Sequence, residues 1–150
     1  MISLLIFIGI LFVVAILVIW LLSFLDKWMR VNILLMFTKW HNADGFIPPR
    51  KYRQKGVYLW QKRKFFIWRT VYVGQSVNMS ARYKQHITGK GCPQIFKDYK
   101  RDPSKLRFKA ISMKKAHYTN LNALEKRLII KYNTVDKGYN KTAGNGKHRY

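Results

Sequence analysis

Acidic side chains are scarce. Six Asp and Glu stand against 29 Lys and Arg, a formal charge of +23. That imbalance argues against a neutral-surfaced enzyme for acidic substrates and points to a polyanionic partner, either nucleic acid or an anionic membrane. Cysteine is nearly absent too. Cys92 stands alone, so there is no intrachain disulfide, no Cys-based zinc site and no sign of an oxidising compartment. No internal repeat or low-complexity tract breaks up the 150 residues, about one domain's worth of chain.

What is present is unevenly placed. Residues 1–50 hold four basic and two acidic side chains, net +2, and residues 51–150 hold the other 25 and four, net +21. The basic part keeps Trp60, Trp68 and many Tyr, Phe, Leu and Ile. It can bury a core and is not a disordered tail.

Residues 2–25, ISLLIFIGILFVVAILVIWLLSFL, are 24 uncharged residues without a polar face. At about 1.5 Å per residue they clear a hydrocarbon core of roughly 30 Å, which predicts a transmembrane anchor over residues 1–27 in contact with lipid. Trp20 and Trp28, with Lys27 and Arg30, suit one interface. A cleaved signal peptide would want a basic start and a small-residue cleavage site. No Lys or Arg precedes the apolar run and no Ala-x-Ala follows it, so an uncleaved anchor is expected. All basic residues follow the span, which predicts a single-pass protein of the inner (plasma) membrane with a cytoplasmic C-terminal domain.

Residues 28–52 read as a juxtamembrane connector. Val31 to Phe37 is either an interfacial piece or a continuation of the anchor helix. Asp44-Gly45 and Pro48-Pro49 then break any helix, placing a folded domain at 53–150. Within it, Gly56–Trp60 and Phe66–Val73 read as a β-hairpin around a charged turn, Gln61-Lys62-Arg63-Lys64. Ser76 or Asn78 can cap a helix running to Ile87, stopped by Gly89 and Gly91. A short helix near Gln94–Tyr99, a third strand over Leu106–Ile111 and a helix over Tyr118–Tyr132 follow. His117 suits a helix start, and His148 falls in the Gly- and Asn-rich tail. The expected fold is α+β, a three-stranded antiparallel sheet flanked by helices behind one transmembrane helix.

Two helix faces hold chemistry. Met79, Tyr83 and Ile87 share a side with Arg82 and His86. On the last helix Leu121, Leu124, Leu128 and Tyr132 form an apolar stripe containing Glu125, the chain's one glutamate. A carboxylate on an apolar face costs several kcal/mol unless it is paired or bound to a cation.

Gly56-Val57-Tyr58 and Tyr72-Val73-Gly74 resemble the two halves of the GIY-YIG nuclease signature. Arg82 lies ten residues after Tyr72 and His86 four further on. Glu125 sits in an L-x-x-L-E-x-x-L-I helix, and Asn140 closes a Gly-Tyr-Asn tripeptide. The likeness covers roughly residues 54–145 and departs in the 13 residues between Tyr58 and Tyr72, a few more than is usual. It implies a GIY-YIG-like fold and a divalent-metal-dependent endonuclease acting on DNA, with Gly56 and Gly74 as structural members of the motif. In that implied site Glu125 holds Mg²⁺ or Mn²⁺, Tyr58 activates the attacking water and Tyr72 positions water or phosphate. Arg82 clamps the phosphate, His86 supports Tyr58 or relays its proton, and Asn140 braces the site.

Taken singly, each of these residues has an ordinary structural reading. Their joint order carries the inference. Lys62, Arg63, Lys64, Lys114 and Lys115, with Lys97, Lys100, Arg101, Lys105, Arg107 and Lys109, supply a field for phosphates that is independent of sequence, or for anionic lipid. No zinc finger or helix-turn-helix accompanies them, so weak sequence specificity and no small-molecule cofactor are expected. His41 matches no position of the family, and Cys92 reads as a packing residue. A tether suits a low-specificity nuclease working on phage or plasmid DNA as it enters, or on DNA in transfer. The rival reading is a membrane-tethered nucleic-acid-binding module with a degenerate site. A weaker one is a polybasic membrane protein for which DNA is incidental.

Overall fold

The structure, a computed structural model, describes residues 2–116, 118 and 120–144, leaving aside the side chains of 2–8 and 27. His117 and His148 lie outside the described residues. The chain divides into two compact units, Met1–Met36 and Phe37–Tyr150.

The first unit is helix α1 (Ile2–Phe37), 36 residues without a break. No proline interrupts it, and it runs for about 54 Å. Val31–Phe37 therefore continues the helix. The side chains of residues 9–25 are all exposed. The apolar run ends at an i,i+4 ion pair, Arg30 Nε to Asp26 at 2.8 Å. Among the described residues α1 is the one helix long and apolar enough to cross a membrane.

The second unit is α+β. Its order is β1 (His41–Asn42), β2 (Gly56–Lys64), β3 (Ile67–Ser76), α2 (Met79–Ile87), α3 (Pro93–Arg101), β4 (Leu106–Ser112) and α4 (Leu121–Tyr132), with 3-10 turns at Arg50–Tyr52 and Pro103–Lys105. The sheet is antiparallel in the order β1-β4-β2-β3. It has four strands where the sequence predicts three. The extra strand comes from the stretch assigned to the connector, because two residues carry no periodicity to read. It is well tied in. The Ala43 N–H donates to Leu106 O at 2.9 Å, and the buried Tyr83 hydroxyl donates to Ala43 O at 3.0 Å. His41 lies 3.0 Å from the Tyr52 hydroxyl and stacks on Phe46, so its role is structural.

The basic patch after Trp60 is strand, not turn. β2 runs on to Lys64, and the turn is Phe65-Phe66, with Phe65 at φ +55°. Strand alternation puts Tyr58 and Trp60 on the face packed by α2, where Trp60 stacks on Tyr83 with centroids 5.2 Å apart and Phe108 meets both rings edge-on. α4 packs against β3 and β2. Its buried stripe is Leu124, Glu125, Leu128 and Ile129, turned slightly from the expected one, with Leu121 and Tyr132 only partly covered. The helix ends follow local chemistry. Asn78 caps α2 by accepting from the Ala81 N–H at 3.0 Å, Gly89 leaves that helix at φ +84°, and Asn120 caps α4.

Candidate active site

β2 and β3 pair so that Tyr58 faces Gly74 and Trp60 faces Tyr72. Successive same-face positions thus bring two phenols side by side, with ring centroids 6.2 Å apart. The first and last turns of α2 deliver Arg82 and His86 to the same place. His86 Nε2 lies 2.9 Å from the Tyr58 oxygen, and Arg82 Nε–H donates to that oxygen at 3.3 Å.

The direction of the His86 contact is fixed from the other side of its ring. The Cys92 backbone N–H donates to Nδ1 at 3.0 Å. A neutral imidazole accepting at Nδ1 carries its proton on Nε2. His86 is neutral: burial first, then the Arg82 charge, lower its pKa from 6.5 to about 3. Nε2–H therefore donates to Tyr58. Of the two roles expected for His86, support of Tyr58 agrees with this arrangement and a proton relay does not, since Nε2 has no open lone pair. The Tyr58 oxygen receives two N–H donors, with the Tyr72 phenol beside it. Burial holds the Tyr58 phenol well above its usual range, reinforced by Tyr72 and opposed by Arg82. Tyr72 is raised by burial, with Tyr58 and Arg82 pulling it down.

Tyr58 is 1% exposed and His86 0%. Both lie beneath the surface that solvent reaches. Above them is a pocket of about 310 Å³ walled by Tyr72, Arg82, Cys92, Glu125, Asn140 and Thr142, among others. Of the two paired phenols, the one on this pocket is Tyr72, whereas the resemblance implies the water-activating role for Tyr58.

Glu125 reaches the pocket from α4. Gln75, which alternates to the opposite face from Gly74, donates from Nε2 to Glu125 Oε2 at 2.9 Å. Asn140 grips β3 at two points: its Oδ1 accepts from the Val73 N–H at 2.9 Å, and its Nδ2 donates to Val73 O at 2.8 Å. The Tyr139 N–H donates to Val71 O, next to the bulge between Trp60 and Gln61. Residues 139 and 140 thereby line the outer edge of the edge strand β3.

Three glycines matter here: Gly91, which the sequence did not mark as a site residue, and Gly74 and Gly56, expected as structural members of the motif. A Cβ on Gly91 would lie 2.6 Å from His86 Nδ1, so Gly91 lets the loop come close enough for the Cys92 N–H to bond. A Cβ on Gly74 would overlap the Tyr58 hydroxyl and ring. Gly56 is excluded from any side chain by Ile111 O and Met79. Gly91 reads in the sequence only as a helix stop and Gln75 only as a strand end.

The basic residues divide. Lys62 is committed to Asp98 at 2.8 Å, a buried carboxylate that also takes Arg101 at 2.9 Å and the Tyr139 hydroxyl at 2.5 Å. Lys62 is thus already paired within the fold. Arg63, Lys64, Lys114 and Lys115 are exposed.

Among the described residues no three His, Cys, Asp or Glu side chains converge. A single carboxylate on a pocket wall does fit Mg²⁺ or Mn²⁺, because Mg²⁺ keeps most of its waters and takes one or two carboxylates plus phosphate oxygens. The pocket has room for a hydrated cation and a phosphate group. Comparison with protein-family models, with curated proteins and with solved structures returned no match.

Proposed function

We propose that the chain is a membrane-anchored, metal-dependent endonuclease of the GIY-YIG type that hydrolyses phosphodiester bonds in DNA at the cytoplasmic face. The observation that carries the reading is the meeting of Tyr72, Arg82 and Glu125 on one pocket, over a Tyr58 that already accepts two N–H donors. Arg82 presents a planar fork to the scissile phosphate and neutralises charge that develops on it. Tyr72 orients the attacking water. Once a phenol of the pair has released its proton to solvent, the phenolate takes up the proton of the water, and Nε–H of Arg82 with Nε2–H of His86 hydrogen-bond it against the burial that disfavours ionisation. Glu125 would hold a divalent cation, which would supply Lewis-acid stabilisation of charge when bound. Asn140 holds β3, and so Tyr72, in register.

The membrane part rests on α1, whose length and apolar composition meet the requirement for a span. The polyanion part rests on the charge of +23. Incoming phage or plasmid DNA is the substrate such a tether suits.

The test uses the full chain in detergent with linear and circular duplex DNA, single-stranded DNA and RNA, each with Mg²⁺, Mn²⁺ or chelator. Metal-dependent cutting that Glu125→Gln abolishes supports the proposal. Absence of cutting on every substrate, or equal cutting by Glu125→Gln, overturns it. Salt-sensitive binding without any turnover assigns the chain to the rival binding module.

A further inference from the structure

We propose that the tip of the β2–β3 hairpin, Phe65-Phe66-Ile67, is a lipid-inserting element that seats at the headgroup–acyl boundary of an anionic bilayer. The proposal rests on the membrane reading of α1 and adds a second lipid contact within the folded unit.

Three apolar side chains in a row sit at the apex with nothing over them. Phe65 is 83% exposed, Phe66 97% and Ile67 62%. A two-residue hairpin turn ordinarily uses Asn-Gly or Asp-Gly, because its backbone needs positive φ. Here Phe65 takes that conformation, at φ +55°. A bulky aromatic in the left-handed region costs backbone energy, and exposure costs solvation energy. Among the described residues no ring contact or side-chain hydrogen bond of Phe65 or Phe66 offsets either. Both are offset if the tip leaves water.

The surroundings name the phase it enters. Arg63, Lys64 and Arg69 are exposed on the strand ends around the tip. Just behind it Trp68 is half-buried, with the Arg107 guanidinium 4.3 Å and that of Arg63 5.8 Å from its ring centroid. An apolar point, a cationic collar and an indole between them is the layering of an anionic membrane interface. The hairpin is paired up to its last residues, Lys64 opposite Ile67, so the tip is presented on a firm support. Tyr72 lies six residues from Phe66 along β3, about 20 Å at 3.3 Å per residue. Seating the tip therefore leaves the pocket open to a polymer. A nucleic acid also attracts the collar. The chain's long apolar helix favours lipid as the phase within reach.

The experiment places one nitroxide label at Phe66→Cys in a Cys92→Ser background. A second sample carries the label at Leu17→Cys. The full chain is reconstituted in phosphatidylcholine vesicles with and without phosphatidylglycerol. Collision rates with oxygen and with a water-soluble nickel chelate are then compared. The inference expects the Phe66 site to shift several-fold toward oxygen when phosphatidylglycerol is present, and to shift less in high salt. If Phe66 stays open to nickel while Leu17 reads hydrocarbon, the tip inference falls and the span stands. If Leu17 reads water, the span reading falls by itself, and the inference that rests on it falls with it. If duplex DNA alone, without vesicles, shields the Phe66 label, the tip belongs to nucleic acid and the inference is overturned.

Discussion

Gly74 lies directly across the β2–β3 ladder from Tyr58, and the Tyr58 phenol fills the space a side chain at 74 would take. Its Cζ would stand 2.5 Å from a Cβ there, and Tyr72 Cε1 2.9 Å. Gly74→Ala must push one or both rings aside. Overpacking of this kind costs about 1–3 kcal/mol. We expect a lower melting temperature together with loss of cleavage, read on the same preparation.

Arg82 carries two duties, one toward Tyr58 and one toward the pocket. Arg82→Lys keeps the charge and loses the Nε–H that reaches the phenol. A hydrogen bond to a charged group is worth about 1.5–3 kcal/mol, so cleavage falls roughly 10–100-fold. Binding of DNA, measured by its salt dependence, changes little.

His86 ties stability to acidity. Its folded pKa of about 3 lies below the ordinary 6.5. The unfolded chain therefore binds a proton first as pH falls. The stability contributed by the neutral ring is complete above about pH 6.5 and is lost between there and pH 3, at about 1.4 kcal/mol per pH unit. Chemical denaturation of wild type and His86→Gln across that window checks the sign: the wild-type curve should fall more steeply.

Asp98 gathers Lys62, Arg101 and the Tyr139 hydroxyl from three parts of the second unit. Asp98→Asn leaves those donors short of an acceptor, but the side chains of Lys62 and Arg101 keep 26% and 64% of their exposure and regain water. The expected loss is about 1–3 kcal/mol, read by denaturation.

Asn140→Ala removes both contacts to Val73. The buried edge of β3 then lacks a donor and an acceptor, at a cost of about 1–3 kcal/mol. Hydrogen exchange at Val73 should rise more than at Leu59, on the central strand.

Much of this fold was open to the reader of the sequence. The long apolar run, the alternation after Gly56 and the cap at Asn78 are local signals, and local signals survive in one dimension. What escaped was set by contacts distant in sequence. Strand β1 exists because Leu106 and Tyr83 hold Ala43. The pocket-facing phenol of the pair is Tyr72 because α2 buries Tyr58, a matter of packing that no tripeptide encodes. The tautomer of His86 depends on a backbone N–H six residues away that only Gly91 lets approach. The commitment of Lys62 to Asp98 looks, in sequence, like any other basic run.

The wall formed by Tyr139, Asn140, Thr142 and Gly144 is made after every strand and helix of the described chain. On a ribosome the cleft therefore stays one-sided, and the outer border of β3 stays bare, until those residues emerge. Sealing the border and completing the cleft are one event. On the proposed nuclease reading, a nascent chain this cationic carries no finished cleft among the nucleic acids around it until translation has passed residue 144.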